Sequence, residues 1–150
     1  MSETEFQEYV DGSCRSFAQE SPRYFGIPLE QAIQSVREEF LTKVVPQGLH
    51  TPGHFIWNIF NDQTRVGFLH LGEPRNQVGK EIFAWDLEIF EPFRKNGFAK
   101  QTMIEAGKKL KELGYTRVGL NVFGGNKVAI GLYDAMGFRI TQVQMVREID

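Results

Sequence analysis

Residues 82–101, IFAWDLEIFEPFRKNGFAKQ, hold most of the residue types that could do chemistry. An apolar, β-rich run over 82–90 leads into a turn carrying Pro92, Arg94 and Lys95, and Gly97 opens a helical pattern. A strand, a basic turn and a helix start make a cradle for a phosphate. The first N–H groups of a helix are unpaired and its dipole is positive there. Glycine removes the Cβ that would keep a ligand away from the backbone. Inside the strand, Asp86 and Glu88 share one face by period-two alternation. Carboxylates in a central strand are costly to bury unless they are paired or used.

Other reactive types are scattered. His50 and His54 have a spacing seen in metal sites, but Pro52 and Gly53 lie between them and rule out a helical pair. With no third ligand in view, no metal is expected. His70 alternates with Leu69 and Leu71 and reads as structural, as does the lone Cys14. Lys108, Lys109 and Lys111 read as the wet face of a helix.

The chain of 150 residues fits one domain, 1–150, with a single core. A net charge of -2 gives no pull toward nucleic acid or an anionic membrane. No apolar run approaches the roughly 20 residues of a membrane span. The acidic N-terminus lacks the core of a signal peptide. One cysteine excludes an intrachain disulfide and fits a cytoplasmic location.

The elements that must position these residues follow from periodicity. Residues 2–19 read as a helix, with Thr4 and Gln7 as a capping box. A second helix follows Pro28, with Ile33, Val36, Phe40 and Val44 on one face, and stops at Pro46 and Gly48. Strands over 54–61 and 66–72 form a hairpin across residues 62–65. Residues 74–80 are a polar loop. The strand at 82–90 and a helix over 97–113 follow, with Gly114 as the natural cap. A strand over 116–123, a short helix over 127–135 capped by Asn126, and a last strand over 138–146 complete the pattern. This is a mixed α/β domain with a parallel crossover between the strands at 82–90 and 116–123.

The run Arg94-x-x-Gly97-x-Ala99 resembles the acyl-CoA signature of the GNAT superfamily of N-acetyltransferases. Asn126-x-x-Ala129-x-x-Leu132-Tyr133, followed by Gly137-Phe138, is similar to that family's second signature. Leu120 to Phe123 sits where its fifth strand belongs, and the turn at 48–54 resembles a subset of uncharacterised bacterial members. The resemblance covers the whole chain. It implies a GNAT-like fold: two N-terminal helices and a central mixed sheet that splays between the strands at 82–90 and 116–123. The pantetheine arm of acetyl-CoA would pair with the backbone of Leu87 and Ile89. The diphosphate would lie on the N–H groups of Lys95, Asn96, Gly97, Phe98, Ala99 and Lys100, beside Arg94. Asn126 would touch the pantetheine or diphosphate region.

The family's chemistry implies acetyl transfer to a primary amine, in a small molecule or a peptide, by direct attack in a ternary complex. Tyr133 matches the tyrosine that protonates the leaving thiolate. Two positions where relatives carry a glutamate base hold Asn121 and Phe83 here. The base is then sought at Glu88 or Asp86, with Glu88 first because it lies nearer the splay, and a base acting through water is equally open. His54 would face the acceptor pocket, with Tyr24, Phe25, Phe55 and Trp57 as candidate walls. The alternative from another class is a non-catalytic acyl-CoA-binding module. The family's usual first strand is absent, so the edge of the 54–61 strand would be uncovered, which points to a possible homodimer. Either the strand is missing or the chain begins late relative to its relatives.

Overall fold

The computed structural model describes residues 1–74 and 79–149. Part of the expected polar loop, residues 75–78, lies outside the described residues. The order is α1 (Glu3–Glu20), α2 (Leu29–Glu39), β1 (His54–Asn61), β2 (Thr64–Gly72), β3 (Glu81–Ile89), α3 (Phe98–Glu112), β4 (Arg117–Leu120) and α4 (Lys127–Ala135).

The capping box of α1 is Ser2 and Glu5, not Thr4 and Gln7. Ser2 has an extended backbone and accepts from the Glu5 N–H, while the Glu5 carboxylate accepts from the Ser2 N–H. Thr4 is already helical, so it cannot cap. The second helix widens into a π turn, Phe40–Val44, before Pro46. The hairpin turn is shorter than expected, because Asp62 takes a left-handed φ of 53° and lets β2 begin at Thr64.

The four strands lie in the order β1-β2-β3-β4, with β1 at one edge. β1–β2 and β2–β3 are antiparallel, and β3–β4 is parallel. On one face, Phe6, Tyr9, Val10 and Cys14 of α1 pack with Ile56 and Phe68. On the other, Met103, Ala106 and Leu110 of α3 pack with Leu69, Leu71, Ile82 and Ala84. Each such large apolar side chain contributes roughly 1.5–3 kcal/mol by burial.

Two irregularities in β3 set up the site. Its pairing with β4 runs from Glu81–Arg117 to Ala84–Leu120 and stops there. In its pairing with β2, Leu71 opposes Ala84 but His70 opposes Asp86, so Trp85 is an extra residue, a β-bulge. The bulge resets the alternation. Ile82 and Ala84 face α3, and so does Leu87. Asp86 is left facing α1, where Ser13 reaches it.

The strand expected at 138–146 does not form. Residues 139–149 are exposed and have no strand partner among the described residues. Alternation prepares a segment to pair, but a strand also needs a neighbour, and β4 is only four residues long.

Gly67 sits where β2 crosses closest to β3. A Cβ there would lie 2.0 Å from the Glu88 carbonyl oxygen. Gly67→Ala is expected to lower unfolding stability by about 2 kcal/mol in urea titration, whereas Gly124→Ala, whose Cβ would meet nothing within 4 Å, is not.

Candidate active site

The bulge places Asp86 between the sheet and α1. Ser13 Oγ donates to Asp86 Oδ2. Burial pushes the Asp86 carboxyl up to about 6; the bonds from Ser13 and the Leu87 N–H oppose this, and Glu88 and Glu20 add to it. This is a carboxylate poised to take and release a proton near neutral pH. Glu88, on the same face, is partly exposed and lies 3.9 Å from Arg94 Nη2.

A polar chain continues from Asp86 into the core. Tyr9 lies one turn before Ser13 on α1, its hydroxyl on the side of Ser13. The Tyr9 hydroxyl bonds His70 Nδ1 at 2.7 Å, and His70 Nε2 bonds His54 Nδ1 at 2.8 Å. Burial pushes His70 down to about 3, with His54 adding to the effect. Burial also lowers His54, against the pull of Glu73. Both rings are therefore neutral at pH 7. His54 turns onto His70 and stacks on Trp85, while His50 lies at the surface 3.7 Å from Glu3. Burial, then Asp86, pushes the Cys14 thiol up to about 11, so it is protonated and no nucleophile.

Tyr133 projects from α4. Burial and then the Asp86 charge raise its phenol above the ordinary value, which keeps it protonated. Its ring packs on Phe138 at 5.4 Å. Asn126 Oδ1 caps α4 by accepting from the Ala129 N–H.

The helix start at α3 has the shape expected of an anion cradle. Gly97 is its N-cap at φ 78°, and a Cβ there would meet nothing within 4 Å. The Gln101 N–H is the first to bond back, to Gly97, so those of Phe98, Ala99 and Lys100 have no partner within the helix. Lys95 is also left-handed, at φ 64°, and Asn96 Nδ2 ties the turn to the carbonyls of Phe93 and Arg94. Arg94 is partly committed: its Nε donates to the Ile89 carbonyl at 2.8 Å and so pins the end of β3.

Where β4 has ended, one edge of β3 opens. The Phe90 N–H bonds Val66 on β2, so alternation turns the N–H groups of Leu87 and Ile89 the other way, toward the gap. Asp86, the cradle and Tyr133 thus surround one end of β3. The aromatic walls do not join them. Phe55 and Trp57 pack on the α3 face, Tyr24 is in the helical core and Phe25 is exposed. A groove of about 560 Å³ between β1 and α3 reaches neither Asp86 nor Tyr133.

A protein-family model, the acetyltransferase (GNAT) family, matches residues 15–138. The chain belongs to the GNAT acetyltransferase family. It is 31% identical to the uncharacterised N-acetyltransferase YdgE of Bacillus subtilis, covering 99% of this chain and 95% of that one. It is 29% identical to YycN of the same organism, covering 99% and 96%. The crystal structure of YycN superposes with a TM-score of 0.89 at 28% identity, covering 99% and 95%. The Thermoplasma acidophilum PaiA N-acetyltransferase, solved with coenzyme A, shares the fold at 21% identity and a TM-score of 0.68, covering 96% and 89%. The chain is accordingly an N-acetyltransferase.

Within this acetyltransferase, Asn121 is exposed and Phe83 packs on Trp85, and neither side chain can take a proton. Ser13 and Tyr9 escaped sequence reasoning. Their only signal is that two hydroxyls, four residues apart, fall beside the apolar stripe of α1.

Because the fold favours protonated Asp86, its contribution to stability is full below the unfolded value of about 3.9 and is lost as pH rises through about 6. Asp86→Asn escapes that loss. It is expected to be more stable than the parent by on the order of 2 kcal/mol at pH 8, with the gain vanishing near pH 3, in denaturant titrations at the two values.

Proposed function

We propose that this N-acetyltransferase moves an acetyl group from acetyl-CoA to a primary amine by direct attack in a ternary complex, with Asp86 as the general base. The observation that carries the reading is a half-buried carboxylate packed against α1, its proton affinity raised toward neutrality, at the point where β3 and β4 part. Glu88, placed first on sequence grounds, is the weaker candidate because it is more exposed and lies near Arg94.

The donor fits what the chain offers. The N–H groups of Phe98, Ala99 and Lys100, with the open backbone at Lys95, Asn96 and Gly97, suit a diphosphate. The edge of β3 beyond β4 suits an extended amide-bearing arm through the Leu87 carbonyl and the Ile89 N–H, since the Leu87 N–H is engaged by Asp86. Arg94 and Asn126 hold the strand end and the α4 start that frame it. The coenzyme A bound by the Thermoplasma relative supports the same donor.

An acceptor amine is an ammonium near pH 7 and cannot attack until it loses a proton. Asp86 accepts that proton. The Ile89 N–H, turned into the gap, stabilises the charge that develops on the carbonyl oxygen. The protonated Tyr133 phenol donates to the departing thiolate. Acceptors are amines of small molecules or peptides, in the cytoplasm. A homodimer belongs to the same reading: the β1 edge is open, and Ile140, Val143, Met145 and Ile149 are exposed on a tail with no neighbour among the described residues.

The assay is thiol release from acetyl-CoA across an amine panel. For an accepted amine, kcat/KM is expected to show a limb near pH 6. Asp86→Asn should lose that limb and about 100-fold or more in rate, and a retained limb would remove Asp86 from the role. Tyr133→Phe should lower turnover far more than CoA affinity. Gly97→Glu should abolish CoA binding in calorimetry, by placing charge and bulk in the cradle, and unchanged affinity would move the cradle elsewhere.

A further inference from the structure

Each turnover would leave a proton on Asp86, which is half-buried and faces acidic neighbours: Glu20 from α1 and Glu88 from its own strand. From α1 the carboxylate also faces Ser13 and Cys14, and from α4 Tyr133. The polar chain of Ser13, Tyr9, His70 and His54 leads away from it, through the packed interface of α1 and the sheet. It ends at His54, which is half-buried and stands near Glu73.

We propose that this chain is a proton path that returns the Asp86 proton to solvent between turnovers. The proposal rests on Asp86 as the base. Three of its four links are hydrogen bonds, and the fourth joins two hydroxyls a turn apart on one helix. Ser13 Oγ touches Asp86 Oδ2, Ser13 and Tyr9 share one helix face a turn apart, and the two remaining contacts are 2.7 and 2.8 Å.

The proton balance closes. The Asp86 carboxyl O–H gives its proton to Ser13 Oγ. Ser13 passes its own to the Tyr9 oxygen, and Tyr9 passes its own to His70 Nδ1. His70 releases the proton on Nε2 to His54 Nδ1, and His54 releases the one on Nε2 to water. Asp86 is again a carboxylate, one proton has entered solvent, and both rings remain neutral with their tautomers exchanged. Hydroxyl rotation and tautomer exchange then reset the chain. Passing the proton in concert matters, because a charged His70 is strongly disfavoured by its burial. A contact of two neutral ring nitrogens already requires one to carry the proton and the other to lack it, the state from which such a transfer starts.

Packing alone does not call for these residues. Satisfied polar groups avoid a penalty, but apolar groups of the same shape serve a core about as well. Two histidines and two hydroxyls in line with a base ask for a further use.

The test uses the full-length enzyme with an accepted amine. Tyr9→Phe and Ser13→Ala each break the path while keeping most of the packing. In each, kcat is expected to fall about tenfold with KM for both substrates nearly unchanged, and the solvent deuterium isotope effect on kcat should rise. Ser13→Thr, which keeps the hydroxyl, should restore kcat. Melting curves check that the variants are folded, and Ser13→Ala carries the test should Tyr9→Phe not fold. If folded variants keep the parent kcat and isotope effect while Asp86→Asn has lost activity, the path is wrong and the proton leaves elsewhere. If Asp86→Asn is itself active, the base assignment fails instead.

Discussion

One extra residue in β3 decides what this site can do. Trp85 has no partner on β2, and the bulge it makes turns Asp86 from the α3 side to the α1 side. Without it, continued alternation from Ile82 and Ala84 would put Asp86 among Met103, Ala106 and Leu110, an apolar layer with no partner for a carboxylate. With it, Asp86 meets Ser13, and the strand beyond leaves its pairing with β4. The same short segment therefore places the proposed base, opens the gap and turns the Ile89 N–H into it.

That arrangement has a stability cost. A carboxylate half-buried beside Glu20 and Glu88 is held against its own charge, and the bond from Ser13 offsets the cost only in part. The cost is what makes the group useful, because a carboxyl near 6 can accept and release a proton where an ordinary one stays ionised. The helices are arranged accordingly. α1 brings hydroxyls to one side of Asp86, and α4 brings Tyr133 to the other. The glycine-capped start of α3 leaves a cradle that does not compete for the same space.

Much of this was readable from sequence. Period-two runs, turn residues and helix caps locate β1–β4 and α1–α4 to within a few residues. The family signatures fell on the α3 start and on α4. Alternation puts Asp86 and Glu88 on one face, but the contact of Asp86 with Ser13 is not legible, since a bulge leaves no pattern of its own and burial depends on what α1 brings. Tyr9, His70 and His54 are far apart in sequence and meet only because β1, β2 and α1 pack together. The tail differs from its pattern because apolar alternation at 138–146 records the capacity to pair and not the presence of a partner.

The central claim is that the acceptor amine meets Asp86 in the gap at the end of β3. The most direct measurement is a crystal structure with a bisubstrate analogue in which coenzyme A is joined to an accepted amine. The amine nitrogen should lie within hydrogen-bond distance of an Asp86 carboxylate oxygen, with the diphosphate on the N–H groups of Phe98, Ala99 and Lys100. An amine nitrogen bound to Glu88, or on the α3 face of the sheet with Asp86 untouched, would contradict the account.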